Sequence, residues 1–135
     1  MLEWSKNSQT DTDSYITYQL FICLHTSATL GIGKLGIFQF PGGMYLYTVS
    51  AKRGMQNRLL RHLAKQKTLR WHIDYLLAFK GCEILDIRKF REPECHICQT
   101  SGGVILVPGF GSSDCTSGCG SHLRYLGNVE HSHTY

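Results

Sequence analysis

The sequence predicts a small α/β domain of the α+β kind, in which helices flank an antiparallel sheet. The chain has 135 residues, of which 42% are hydrophobic and 18% charged. This composition is typical of one globular domain and excludes a disordered or fibrous chain. Runs rich in β-branched and aromatic residues lie between turn-like segments, which indicates strands. One central segment instead repeats apolar residues at helical spacing.

Three strands are expected in the first half of the chain. Residues 15–24 read YITYQLFICL, which fits a largely buried strand. Two more strands are predicted over Lys34–Phe40 and Met44–Ser50. Proline and glycine dominate the segment between them, Pro41–Gly43, so we expect these two strands to form a β-hairpin.

A helix is predicted over residues 54–67, with an apolar stripe and a basic stripe on different faces. Met55, Leu59 and Leu63 recur at four-residue spacing, and this stripe is expected to face the core. The basic stripe follows the spacing i, i+3, i+4 and i+7, which leaves it available to a partner. Its members are Arg58, Arg61, His62 and Lys65.

Positive charge is concentrated on this helix and the residues around it. The stretch from Lys52 to Arg70 carries a charge of +7 and no acid, whereas the whole chain has a net charge of +4. A basic element of this kind is expected of a protein that binds a phosphate backbone, although a solvated helix face is the alternative. We expect nucleic-acid contacts from Lys52, Arg53, Arg61, Lys65, Lys67, Arg70, Trp71 and His72.

The second half of the chain is predicted to alternate between helix and strand. We expect a short helix over His72–Phe79, a strand over Cys82–Phe90 and a helix from Glu92 to about Thr100. Residues 104–110 are predicted to be extended, and residues 122–127 to form a final strand.

The chain is expected to be one cytoplasmic domain over residues 1–135, with a loose lead-in at 1–13 and a frayed tail at 127–135. Its polar start does not resemble a secretory signal, and no apolar run approaches the length of a membrane span. Without a signal peptide, the six cysteines argue against a disulfide framework.

Six segments of the sequence resemble, in the same order, those of the Uri-type branch of the GIY-YIG nuclease superfamily. The resemblance covers about Tyr15 to Leu126 and rests on GKLG, YLYTVSA, RLLRHL, WHIDYLL, EC and GFGSSDC. It implies a GIY-YIG-like fold with an inserted hairpin strand, and a metal-dependent endonuclease that hydrolyses DNA phosphodiesters with Mg²⁺ or Mn²⁺. Nucleases of this kind often use a separate recognition domain, so a partner protein is expected to supply specificity. The family's catalytic residues map to Tyr15, Tyr47, Arg58, His62 and Glu94.

These residue types suit phosphoryl transfer. A fixed guanidinium stabilises the negative charge that develops on phosphate oxygens, and a single carboxylate, here Glu94, suits Mg²⁺. Two positions depart from the family pattern, because Asp13 and Val49 stand where the two motifs have glycine. The alternative hypothesis is therefore a non-catalytic nucleic-acid-binding module, stabilised by zinc. A third, a protein-interaction module, would use the tyrosine-rich sheet.

The cysteines support a separate hypothesis, a structural zinc site. Cys95 and Cys98 form a C-x-x-C pair, and Cys115, Cys119 and His122 follow at a spacing that suits tetrahedral zinc. Such a site would tie the glycine-rich loop to the helix that carries Glu94. The alternative is that these thiols are reduced and buried, and that the histidine is exposed.

Overall fold

The structure is a computed structural model that describes residues 15–51, 53–64, 67–94, 96–97, 102–110 and 121–127. Within these residues the fold is α+β, as the sequence predicts. The strands are β1 (Thr17–Leu24), β2 (Ala28–Gly31), β3 (Ile37–Phe40), β4 (Gly43–Ser50), β5 (Cys82–Phe90) and β6 (Leu123–Gly127). The helices are α1 (Met55–Leu63) and α2 (His72–Leu77), and a 3-10 turn spans Gly33–Leu35.

Four strands form an antiparallel sheet in the order β5-β1-β4-β6. The two central strands, β1 and β4, pair along their whole length, with Tyr18 opposite Val49 and Leu20 opposite Tyr47. Alternate residues of β1 are fully buried on one face, where they join the hydrophobic core with residues of both helices. These β1 residues are Tyr18, Leu20, Ile22 and Leu24.

The predicted hairpin around Pro41–Gly43 is wrong, because β3 pairs with β2 and β4 pairs with β1 and β6. The inserted element is thus a complete two-stranded hairpin beside the main sheet. Its second strand begins at Ile37 rather than Lys34, since the 3-10 turn occupies the residues before it. Gly43 enters β4 with φ 145°, and a Cβ there would lie 2.2 Å from the carbonyl oxygen of Gly127. Glycine is therefore required where the chain joins the main sheet.

Both helices are shorter than predicted. Helix α1 ends at Leu63, and the ammonium of Lys67 donates hydrogen bonds to the carbonyls of Arg61 and His62, 2.9 and 3.0 Å away. Helix α2 ends at Leu77 rather than Phe79. None of the helices in the described part of the chain is both long and apolar enough to cross a membrane.

The remaining predictions for the second half are partly confirmed. Strand β5 has the predicted bounds, and β6 falls within the predicted final strand. The prediction of an extended run over residues 104–110 is wrong, since a single bridge from Val104 to Tyr125 is followed by bends and a turn. Of the helix predicted from Glu92, the structure describes a helical turn that includes Glu94 and Ile97. The rest of that helix lies outside the described residues.

Candidate functional site

A buried tyrosine–histidine pair lies between the main sheet and helix α1. The hydroxyl of Tyr18 and Nε2 of His62 are 2.6 Å apart, within hydrogen-bond distance, and the two residues are 0% and 3% exposed. The prediction that His62 lies on the exposed basic stripe is therefore wrong. It lies on the same side of α1 as Met55 and Leu59, because the helix packs close to the sheet and Tyr18 gives the imidazole a polar partner.

Tyr47, from the neighbouring strand β4, packs against this pair. Its ring packs edge-on against His62 and against Phe110, with centroid distances of 6.4 and 6.0 Å. Burial raises the pKa of both Tyr18 and Tyr47 above the ordinary value. Both phenols therefore keep their protons at neutral pH.

Arg58 brings a guanidinium to the same place from the first turns of α1. Its Nη1 donates a hydrogen bond of 2.9 Å to the carbonyl of Ser50, and its Cζ lies 5.5 Å from the ring centre of Trp71. Although burial dominates the raised pKa of Tyr18, the charge of Arg58 and its hydrogen bonding to that side chain act in the opposite direction. The guanidinium thus lies beside the Tyr18 hydroxyl.

Glu94 joins the group from the helical turn after β5. Burial is the main cause of the raised pKa of Tyr18 and Tyr47, and the negative charge of Glu94 adds to it, so the carboxylate lies within electrostatic reach of both phenols. Its Oε2 is ion-paired with Nδ1 of His122, the residue directly before β6. The structure therefore brings together five residues from four elements, since Arg58 and His62 share α1. We call this set the polar cluster: Tyr18, Tyr47, Arg58, His62 and Glu94.

A second carboxylate, that of the fully buried residue Asp74 in α2, holds Arg61 and the residues that precede this helix. Its Oδ2 accepts hydrogen bonds from Nη2 of Arg61 (2.5 Å) and from the backbone N–H groups of Arg70 and Trp71 (both 2.9 Å). Arg61 also donates to the carbonyl of Thr68. Since Arg61 is held by Asp74, this predicted nucleic-acid contact has a structural role.

The other sequence-predicted residues lie at the edge of the site or away from it. Tyr15 precedes β1 and lies beneath the guanidinium of Arg91, 4.5 Å from its ring centre to Cζ. Lys67 caps α1, as described above, and Arg53 and Arg70 are exposed.

Two aromatic residues of the predicted nucleic-acid contacts are half-buried. Trp71 packs against Arg58, Arg61 and His62, and His72 packs on Phe110. Outside the described residues lie Lys52, Lys65, Cys95, Cys98, Cys115 and Cys119.

Tyr18 is the residue that the sequence reasoning missed. The resemblance assigned the first motif tyrosine to Tyr15, but the structure brings Tyr18 to His62 and Arg58. A signal was present in the sequence, because Tyr18, Leu20, Ile22 and Leu24 alternate and therefore share one face of a strand. Tyr15 has the opposite parity and lies before the start of the strand.

The chain matches a family model described as a domain of unknown function, DUF123, over residues 17–135. The chain belongs to the DUF123 family. Neither a curated protein nor a solved structure matches the chain. All six strands, both helices and the whole polar cluster of this DUF123 domain lie within the matched residues.

The polar cluster of the DUF123 domain offers one carboxylate, that of Glu94, that could hold a metal ion. Among the described residues, no three His, Cys, Asp or Glu side chains are grouped to hold a metal by themselves. Mg²⁺ needs only one or two protein carboxylates when a substrate phosphate supplies further oxygen ligands. Glu94, whose side chain is 20% exposed, would be that carboxylate.

His62 makes the stability of the DUF123 domain depend on pH. Burial, reinforced by the charges of Lys67, Arg61 and Arg58 and opposed by that of Asp74, lowers the pKa of His62 from 6.5 to about 4. Between these values the unfolded chain binds a proton that the folded chain excludes. We therefore expect the free energy of unfolding to fall by about 3 kcal/mol in total as the pH drops from about 6.5 through about 4.

Urea denaturation at a series of pH values measures this effect, with the variant His62→Phe as the comparison. The variant lacks the titrating group, so its stability is expected to depend less on pH in that window. The matched control is His25→Gln, because the His25 side chain is 56% exposed. If His62→Phe keeps the full pH dependence of the parent, the proton excluded on folding is not the one on His62.

Proposed function

We propose that this DUF123 domain is a metal-dependent endonuclease that hydrolyses phosphodiester bonds in DNA. The observation that carries the proposal is the polar cluster itself. A guanidinium, a carboxylate, two phenols and an imidazole come from four elements of the fold and form one cluster. Phosphodiester hydrolysis needs these groups: cationic stabilisation of phosphate oxygens, a carboxylate for a divalent cation, and a route for a proton.

Arg58 binds the scissile phosphate in this proposal. Its guanidinium is held in place by the Ser50 carbonyl and by Trp71, so little side-chain freedom is lost when it donates to phosphate oxygens. Phosphoryl transfer spreads negative charge over those oxygens, and a donor that is already oriented stabilises that charge without reorganisation.

Glu94 holds the divalent cation. When bound, the cation supplies positive charge that stabilises the leaving oxygen. Because Glu94 is partly exposed while the phenols next to it are buried, the carboxylate forms the rim of the site and Tyr18 and Tyr47 form its floor.

The buried floor orients the attacking water and receives its proton. We assign the hydroxyl of Tyr47, whose ring packs against His62, to orienting the water. The Tyr18 oxygen accepts the proton of the water as the proton of the Tyr18 hydroxyl passes to Nε2 of the neutral His62 imidazole. The positive charges of Lys67, Arg61 and Arg58 help to lower the pKa of His62. A phosphate bound at Arg58 offsets that charge and makes the imidazole a better proton acceptor.

Val49 is compatible with this function, although the nuclease family that the sequence resembles has glycine at this position. It pairs with Tyr18 in the regular ladder between β1 and β4. Of the described residues, none other than glycine has a positive φ, so this position does not require glycine. The valine therefore leaves the backbone around Tyr18 undistorted.

The decisive comparison is between two tyrosines that lie three residues apart. Tyr18→Phe removes the hydroxyl next to His62 and is expected to slow Mg²⁺-dependent nicking of supercoiled DNA by about 10²-fold or more, the usual size of a proton-transfer contribution. Tyr15→Phe, whose ring lies against Arg91 outside the cluster, is expected to cleave at the parent rate. Single-turnover nicking assays measure both rates.

The opposite ranking of the two variants would contradict the assignment of Tyr18. If the parent protein binds DNA with an affinity that falls steeply with salt but does not cleave it in Mg²⁺ or Mn²⁺, the protein is the non-catalytic binding module. Salt-insensitive binding, or none, would exclude both nucleic-acid functions.

A further inference from the structure

We infer that His122 is a positioning residue that holds the carboxylate of Glu94 in the orientation required for cation binding. The inference rests on the proposed function, and it gives His122 a role different from the zinc ligand that the sequence suggested. Its basis is the ion pair between Nδ1 of His122 and Oε2 of Glu94, which joins two residues that are 28 positions apart in the sequence.

His122 is suited to this role because its backbone is held on both sides. Its N–H donates a hydrogen bond of 2.9 Å to the carbonyl of Phe110, and its carbonyl accepts one of 3.1 Å from the N–H of Thr48. Thr48 directly follows Tyr47 in β4. The imidazole that contacts Glu94 is therefore fixed to the strand that carries one phenol of the polar cluster.

The burial of the two partners differs in the way that a positioning contact requires. His122 is 3% exposed, whereas the side chain of Glu94 is 20% exposed. A long, partly exposed glutamate samples several rotamers, and a fixed donor on one carboxylate oxygen restricts them. His122 thus holds the carboxylate of Glu94 in place before any cation arrives.

Binding of Mn²⁺ alone tests the inference without using cleavage as the readout. The free Mn²⁺ concentration is followed by electron paramagnetic resonance during titration of the parent protein, His122→Ala, His122→Asn and Glu94→Gln. Loss of a partner of this kind typically weakens metal affinity 10–100-fold, so we expect a change of about that size in His122→Ala. Asparagine puts an amide N–H where Nδ1 lies, and His122→Asn is expected to regain most of the affinity.

Ser121→Ala is the matched control, because it removes a neighbouring buried hydroxyl that bonds to the backbone of Leu123. It is expected to lower thermal stability and leave the Mn²⁺ affinity unchanged. If His122→Ala does not fold, His122→Asn is compared with His122→Gln, in which the amide lies where Nε2 would be. Asparagine is then expected to bind Mn²⁺ more tightly.

Two results would overturn the inference in different ways. If the parent binds Mn²⁺ through Glu94 and a folded His122→Ala binds it equally well, or if the Asn and Gln variants bind equally, the positioning role is wrong and the proposed function stands. If Glu94→Gln leaves the Mn²⁺ affinity of the parent unchanged, the metal assignment in the proposed function fails and the positioning role falls with it.

Discussion

Replacing Arg58 with lysine is expected to slow DNA cleavage by about 10²–10³-fold at saturating Mg²⁺, even though the positive charge is kept. The guanidinium of Arg58 is held by the Ser50 carbonyl and lies against Trp71, which fixes its position. A lysine ammonium is a mobile point charge that offers no planar set of donors, so it stabilises the spread charge of the transition state poorly. Single-turnover cleavage of a labelled duplex measures the loss.

Arg88→Lys is the control for this prediction. The side chain of Arg88, in β5, is 59% exposed and lies outside the polar cluster, so its replacement is expected to leave the cleavage rate near that of the parent. Circular dichroism of both variants checks that the fold is kept. Arg58 would not be the phosphate-binding group if a folded Arg58→Lys protein cleaves as fast as the parent while Arg58→Ala also retains activity.

Replacing Asp74 with alanine is expected to lower the free energy of unfolding by about 3–5 kcal/mol, which is the usual cost of breaking a buried ion pair by removing one partner. Asp74 is 0% exposed and accepts hydrogen bonds from the side chain of Arg61 and from the backbone of Arg70 and Trp71. Without the carboxylate, a partly buried guanidinium and two backbone donors lose their partner. Urea denaturation of parent and variant measures the difference.

Asp86→Ala provides the comparison for Asp74→Ala. The side chain of Asp86 is 53% exposed, and its contact with Arg88 is 3.5 Å long. A surface ion pair of this kind contributes about 0–1 kcal/mol, so this variant is expected to be nearly as stable as the parent. Similar losses for both variants would show that the buried position of Asp74 does not set its contribution to stability.

Local sequence pattern predicted the position of those elements that residue type and spacing mark within a short stretch of the chain. Strand β5 has the bounds expected from its β-branched and aromatic content, and the apolar spacing of α1 located the helix. The hairpin around Pro41 was predicted wrongly because a turn sequence does not specify which strands pair. Instead, β3 pairs with β2, and β4 pairs with β1, which ends 19 residues before β4 begins.

Four of the five residues of the polar cluster could be named from the sequence. Tyr47, Arg58, His62 and Glu94 were named from their motifs, and the structure brings all four into one cluster. Tyr15 was named in place of Tyr18, because the motif spacing alone does not show which tyrosine faces the helix. The cysteines proposed for zinc lie outside the described residues, and that hypothesis stays a prediction.

Composition, alternation and helical spacing by themselves determined the α+β class, the position of α1 and the concentration of basic residues around it, since each depends on residues close together in the chain. Only the tertiary structure decided that His62 is buried against Tyr18, that Arg61 is held by Asp74, and that Glu94 is paired with His122. These three contacts join residues that are 13 to 44 positions apart in the chain. A charged or polar side chain can bind either a ligand or another side chain. Which of the two it binds depends on the distant groups that the fold brings beside it.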